Sequence, residues 1–442
     1  MPNPYDVSGN RRTVTDDLHH TTRYDYDQEH RVVKVTLPPA TDDLDAVYCE
    51  NTLDEMTELA QFGPCTLSVD CGNLGSSTEH FSSRSYMSIS AAAVQAVLAE
   101  FKDPESGRSV VEMGQVREVK LDGNRLSLVL ELTTHSAPLW DETRSELMGL
   151  LEQRFPELGE VTIQHAVHDR PPTKLGEIGL PAKSVIAVGS GKGGVGKSTI
   201  AACVALGLAR KGCKVGLLDA DVYGPSIPHL LGVSGRPEVL DNKIVPAEAG
   251  GLKMMSIGLL VPPGEAVVWR GPMLHGAIMQ MLRDTLWGNL DYLIIDMPPG
   301  TGDIALTLSQ VLPLTGAVIV CTPQDVALLD AVKAIGMFRK VGIPLLGMVE
   351  NMSYFLCPDN DKRYDIFGHG GAKAKAAELN VPFLGEVPIN ISIRVNGDQG
   401  QTTENFVDAQ TGPVFDAICH TLVKNLATKH RAAPPLPQLP VL

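Results

Sequence analysis

From position 184 onward, short runs of apolar and β-branched residues alternate with segments of helical spacing: 184–189, 215–218, 253–257, 292–295, 317–321, 345–349 and 383–387. Runs without polar alternation belong to strands covered on both faces, so the pattern predicts a mostly parallel sheet wrapped by helices, an α/β domain over 184–430. A final helix is predicted over 405–428, and the proline-rich stretch 431–442 reads as an extended, disordered tail. Upstream the period changes. Residues 91–101 have helical spacing, 116–119 and 125–132 read as strands joined at Asp122-Gly123, and a helix over 141–155 precedes a strand over 161–165. Together these predict a small α+β domain over 87–168. Proline and glycine interrupt every periodicity in 169–183, which reads as a linker. In 1–86 only 31–37 and 65–69 read as strands, with a helix over 43–60 between them. This segment is an unassigned extension, expected to be poorly ordered or dispensable, with Met87 a candidate translation start.

Composition fits this division. The 442 residues are 43% hydrophobic and 20% charged, which excludes wholesale disorder. The formal net charge is −15, and residues 1–86 hold 15 acidic against 6 basic residues. So acidic a chain, with no basic block, argues against nucleic acid or an anionic membrane as partner. No run of eighteen apolar residues occurs, and no basic flank leads into an apolar run at the N-terminus, so a cytoplasmic protein is expected. The eight cysteines, at 49, 65, 71, 203, 213, 321, 357 and 419, show no framework spacing, so disulfides are not expected.

The clearest chemistry follows the first strand of the α/β domain. There the chain reads Ser190-Gly191-Lys192-Gly193-Gly194-Val195-Gly196-Lys197-Ser198-Thr199 and enters an Ala/Leu-rich helix. This is G-x-x-x-x-G-K-[ST] in its strand–loop–helix context. Backbone N–H groups converge on the β-phosphate, Lys197 reaches the β/γ oxygens, and the Ser198 hydroxyl is a Mg²⁺ ligand. Two carboxylate sets come next. Asp219 and Asp221 close the strand Leu217-Leu218-Asp219, and Asp296 closes Asp291-Tyr-Leu-Ile-Ile-Asp296. Asp296 suits a Walker B residue holding Mg²⁺ through water, Asp221 suits orientation of Mg²⁺ or the attacking water, and Asp219 joins the nucleotide-binding set. An isolated strand-end aspartate serves as a helix cap just as well, and it is the order of the three elements that favours the nucleotide role. Asn351, after the strand at 345–349, offers an amide to the adenine edge, and no Asn-Lys-x-Asp stands there for guanine. ATP is therefore expected rather than GTP.

Six segments in order, 192–199, 218–226, 269–272, 296–303, 322–325 and 349–353, together resemble the Mrp/ApbC/Nbp35 family of iron–sulfur cluster carrier ATPases. Residues 88–166 are similar to the MIP18-type (DUF59) domain often fused upstream, with Asp103-Pro104-Glu105 at its usual place. Faintly, 31–75 is similar to half of a STAS-type domain. The resemblance implies a deviant Walker A, SIMIBI-type P-loop NTPase in which Lys192 contacts the nucleotide of the second subunit. It further implies a homodimer that hydrolyses ATP slowly, holds a labile iron–sulfur cluster, 4Fe-4S by type, and passes it to apo iron–sulfur proteins. Family members usually carry Cys-x-x-Cys after Glu-Asn-Met-Ser. Here Cys357-Pro358-Asp359-Asn360 leaves Cys357 as the one candidate cluster ligand, and His135-Ser136-Ala137-Pro138 lacks the cysteine common upstream.

Two other readings share the loop. A MinD/ParA-like ATPase switch without cluster binding needs a basic amphipathic helix or basic patches, and the C-terminal helix has no basic face. A nitrogenase-type reductase needs two cysteines at strand-end loops, and only Cys357 sits in one.

Overall fold

The computed structural model describes residues 13–15, 21–26, 32–36, 89–261, 271–300, 303–360 and 362–432. It divides into two units, Met1–Ser85 and Tyr86–Leu442. In the first, Thr13–Thr15, Thr21–Tyr26 and Val32–Thr36 form a three-stranded antiparallel sheet. The sequence reading finds only the last of these. The other two read Thr-Val-Thr and Thr-Thr-Arg-Tyr-Asp-Tyr, where threonine and tyrosine favour strands without an apolar alternation to betray them. The helix expected over 43–60 and the strand over 65–69 lie outside the described residues.

The second unit begins with the small α+β domain. Helix α1 (Ala91–Glu100) is capped by the Ser90 hydroxyl, which accepts from the Ala93 N–H at 3.1 Å. Strands β1 (Val116–Asp122) and β2 (Arg125–Leu132) form the hairpin, α2 (Trp140–Arg154) crosses over, and β3 (Glu160–Val167) returns parallel to β2. Leu126, Leu128, Leu130 and Leu132 alternate inward along β2 and bury against Val94, Leu98, Leu147 and Leu151.

The segment expected to be a linker is structured. Strand β4 (Lys174–Leu175) pairs antiparallel with the start of β5 (Leu180–Gly189), and Arg170 binds Asp103 and Glu105 at 3.1 and 2.9 Å. Gly176 and Gly179, both at positive φ, make the turn between them, so the residues that interrupt periodicity are those the hairpin requires.

After β5 come α3 (Lys197–Arg210), β6 (Val215–Asp219), β7 (Ala247–Ala249), β8 (Leu252–Ser256), α4 (Gly271–Asp284), β9 (Leu290–Asp296), α5 (Asp303–Val311), β10 (Gly316–Cys321), α6 (Asp325–Lys340), β11 (Leu345–Glu350), α7 (Gly371–Glu378), β12 (Phe383–Glu386), α8 (Ile391–Asp398) and α9 (Gly412–Ala432). The sheet order is β7-β8-β6-β9-β5-β10-β11-β12, parallel except for the edge pairings of β7 and β4. One face is covered by α3 and α9 through Ile200, Val204, Phe415 and Leu422, the other by α4, α5 and α6 through Ile278, Leu308, Ala334 and Phe338. The last helix starts at Gly412 rather than 405, because a 3₁₀ turn over Thr402–Phe406 intervenes, with the Thr411 hydroxyl donating to the Asn405 carbonyl.

Register aligns the strand ends. Asp296 pairs with Asp219 and Val188, Ser256 with Asp219, and Cys321 with Glu350. The acids therefore lie along the carboxyl edge of a parallel sheet, where ligands bind in open α/β folds. The opposite ends of β5 and β9 hold the small domain. The Thr134 hydroxyl donates to Asp291 at 2.6 Å, the Tyr292 hydroxyl donates to the His135 carbonyl at 2.5 Å, and His135 Nε2 lies 2.9 Å from Ser184 Oγ. Lys183 joins Glu105 (3.5 Å) to Asp291 (3.3 Å).

Candidate functional site

Two loop positions between β5 and α3 require glycine. Gly196 has φ +79°, and a Cβ there would meet the Asn351 amide nitrogen at 2.2 Å. At Gly191 a Cβ would fall 2.1 Å from the Asp330 carbonyl carbon of α6, so the loop lies directly on that helix. Lys197, Ser198 and Thr199 open α3, where unpaired backbone N–H groups and the helix dipole favour an anion. Gly193 and Gly194 are exposed at the loop tip, and Val195 is buried beneath it.

Lys197, 6% exposed, directs its ammonium at Asp296 (2.6 Å) and Asp221 (3.6 Å). The Ser198 hydroxyl donates to the other Asp296 oxygen at 2.6 Å. Asp296 is fully buried, and burial raises its pKa against the opposing pull of Lys197 and Ser198. A buried carboxylate and a hydroxyl converging at the foot of an anion-binding loop are the hard oxygen donors that Mg²⁺ takes. The donor set fits that ion.

Two predicted site residues, Asp219 and Asn351, are held by partners within the protein. Asp219 points into the protein: its carboxylate accepts from the N–H groups of Asp221 (3.1 Å) and Ile227 (3.2 Å) and from the Ser256 hydroxyl (3.0 Å). Burial, with the charge of Asp296 beside it, pushes Asp219 up to about 7. It fixes the loop that carries Asp221 and is not turned to the nucleotide. The Asn351 amide donates to the Val195 carbonyl at 2.8 Å and braces the phosphate loop from below. Lys192 makes no ion pair among the described residues; its carbonyl accepts from the Ser190 hydroxyl at 2.9 Å.

Cys357 is half-buried after the two-residue strand Phe355–Leu356, which pairs with Arg363–Tyr364. Its N–H donates to the Lys362 carbonyl at 3.0 Å. Cys203, Cys213, Cys321 and Cys419 are buried, and burial raises all four thiols, Cys203 and Cys321 to about 12. They are core residues. Among the described residues no group of three or more His, Cys, Asp and Glu could hold a metal ion. No described helix is long and apolar enough to cross a membrane. Glu350, overlooked in the sequence beside Asn351, is fully buried and bound at both oxygens. Its one signal was an acid ending an apolar strand.

Residues 181–424 match the model of the NUBPL iron-transfer P-loop NTPases. The chain belongs to this family. Residues 91–164 match the model of an iron–sulfur cluster assembly protein domain, and residues 5–38 match that of the RHS repeat. Among full-length relatives of this NTPase family, the iron–sulfur cluster carrier protein of Deinococcus radiodurans is 44% identical over 79% of this chain and 99% of its own. The iron–sulfur cluster transfer protein NUBPL of Dictyostelium discoideum is 47% identical over 69% and 90%. A solved nucleotide-binding protein of Archaeoglobus fulgidus in complex with ADP is 41% identical, covering 53% of this chain and 92% of that one, with a TM-score of 0.47. The carrier names of the relatives favour the cluster-carrier reading over the MinD/ParA-like switch.

Proposed function

We propose that this P-loop NTPase is an ATP-hydrolysing iron–sulfur cluster carrier, working as a homodimer in the cytoplasm and passing its cluster to apo iron–sulfur proteins. The observation that carries the reading is the convergence of Lys197, Ser198, Asp221 and Asp296 at the carboxyl edge of the sheet. ATP lies with its phosphates on the backbone amides of 191–199, and Lys197 leaves Asp296 for the β/γ oxygens. Ser198 would hold Mg²⁺ directly and Asp296 would hold it through water, and the ion would supply positive charge beside the phosphates. Asp221 orients the attacking water. Lys192, without an ion pair among the described residues, reaches the nucleotide of the second copy.

The cargo binds where the two copies meet. Each contributes Cys357, giving two thiolates where a 4Fe-4S cluster takes four. Asp359, Asp361, a small thiol or a client's cysteine complete the set, and hard oxygen donors hold such iron weakly. A cluster held this way leaves easily. Neither nucleic acid nor membrane is a partner. The test is transfer: reconstituted protein is mixed anaerobically with an apo iron–sulfur enzyme, and recovery of that enzyme's activity is followed with and without Mg·ATP. Recovery that depends on the carrier and responds to ATP supports the proposal. No recovery from a loaded carrier refutes it.

A further inference from the structure

Glu350 and Asn351 are consecutive residues at the carboxyl end of β11, and each holds a different loop. The Asn351 amide donates to the Val195 carbonyl in the phosphate loop at 2.8 Å. That carbonyl shares a rigid peptide plane with the Gly196 N–H, one of the amides at the start of α3, so turning the N–H toward a phosphate also turns the oxygen Asn351 holds. The Glu350 carboxylate, fully buried, accepts from the Ser353 hydroxyl at 2.6 Å and from the Ala372 N–H at 2.7 Å. Ser353 and Ala372 are the beginning and end of one excursion from the sheet, and the hairpin with Cys357 lies within it. One carboxylate therefore closes its base.

Between Asn351 and Ser353 stands Met352 at φ +55°, a left-handed conformation that a methionine keeps only where its surroundings enforce it. Further stitches hold the same base: the Ser353 N–H donates to the Val387 carbonyl at 2.9 Å, and the Ile389 N–H to the Tyr354 carbonyl at 2.6 Å. The excursion is thus attached to the sheet edge through a short segment whose neighbour braces the phosphate loop.

We infer that Glu350 and Asn351 are positioning residues joining the phosphate loop to the Cys357 excursion, so that nucleotide bound in the loop changes how the excursion presents Cys357. The inference rests on the nucleotide reading proposed above. It does not need Cys357 to be a cluster ligand, because the thiol serves only as reporter. Coupling between two sites is a free energy, and it is read here as the ratio of thiol reactivities with and without nucleotide.

The experiment is alkylation of the full chain by iodoacetamide, with the rate at Cys357 followed by peptide mass spectrometry. Mg·AMPPNP is present or absent, at a level that saturates each variant in its own calorimetric titration. The wild type is expected to change its Cys357 rate by about five-fold or more on nucleotide binding. Asn351→Ala and Glu350→Ala should reduce that change to below about two-fold by untying one end each. Glu350→Gln keeps both bonds, its carbonyl accepting from Ala372 and its amide donating to Ser353 Oγ, and should restore the wild-type change. If Glu350→Ala fails to fold, Asn351→Ala and Glu350→Gln still decide. A wild type that binds the analogue without a change in rate, or a folded alanine variant that keeps the full change, overturns the inference. A wild type that binds no analogue overturns the nucleotide reading itself, which the titration shows separately.

Discussion

Replacing Glu105 by Gln tests how the small domain is held to the sheet. Glu105 is buried, and burial alone would raise its pKa; the charges of His135, Lys183 and Arg170 and the Thr133 hydroxyl outweigh this and take it from 4.5 to about 2. At about 1.4 kcal/mol per pH unit, that separation amounts to about 3 kcal/mol of stability at neutral pH. The substitution leaves neither Arg170 nor Lys183 alone, because Arg170 keeps Asp103 at 3.1 Å and Lys183 keeps Asp291 at 3.3 Å. The loss is therefore that of the Glu105 charge and not of orphaned partners. A carboxylate with a depressed folded value stabilises fully above its ordinary 4.5, and the contribution falls away as the pH drops toward 2. Urea unfolding of both proteins at pH 7 should give a gap of about 3 kcal/mol, narrowing to about 1.5 kcal/mol at pH 3, since the glutamine does not titrate. A gap of the same size at both pH values, or one near zero at pH 7, refutes the reasoning.

Lys197→Ala strips the buried Asp296 of its ammonium, so it should cost about 3 kcal/mol in thermal unfolding and abolish ATP binding by calorimetry. Lys192→Ala should leave stability within about 0.5 kcal/mol and ATP binding largely intact, while lowering both turnover and nucleotide-driven dimerisation by analytical ultracentrifugation. Gly191→Ala drives a methyl into the α6 backbone at Asp330, and the displaced loop should lose at least about ten-fold in ATP affinity in the same calorimetric assay.

The phosphate loop and the strands around it were legible because their signals are local. Glycines and Lys197 stand at fixed spacing, and a two-sided buried strand shows as an unbroken apolar run. The edges were not. Asp219 and Asp296 look alike as strand-end acids, and only the pairing of β6 with β8 reveals that Ser256 and two backbone N–H groups turn Asp219 inward. The Asn351 bond to the phosphate loop at 2.8 Å crosses 156 positions, which no local spacing signals. The domain junction joins residues as far apart as Thr134 and Asp291, 157 positions, and no periodicity records such a bond. Prolines and glycines in 169–183 marked the end of regular spacing, yet Gly176 and Gly179 also build the β4–β5 turn in the segment that holds Arg170 and Lys183.

The central claim is that this P-loop NTPase carries a cluster at Cys357, and counting iron and sulfide after anaerobic reconstitution tests it most directly. Wild type and Cys357→Ser are reconstituted side by side, then passed through a desalting column, and their visible absorbance and metal content are compared per subunit. The account predicts a cluster in the wild type, shared between two chains, and its loss in the serine variant, whose hydroxyl is a poor ligand for soft iron. Equal iron in both proteins would contradict the role of Cys357, and no cluster in either would contradict the carrier function itself.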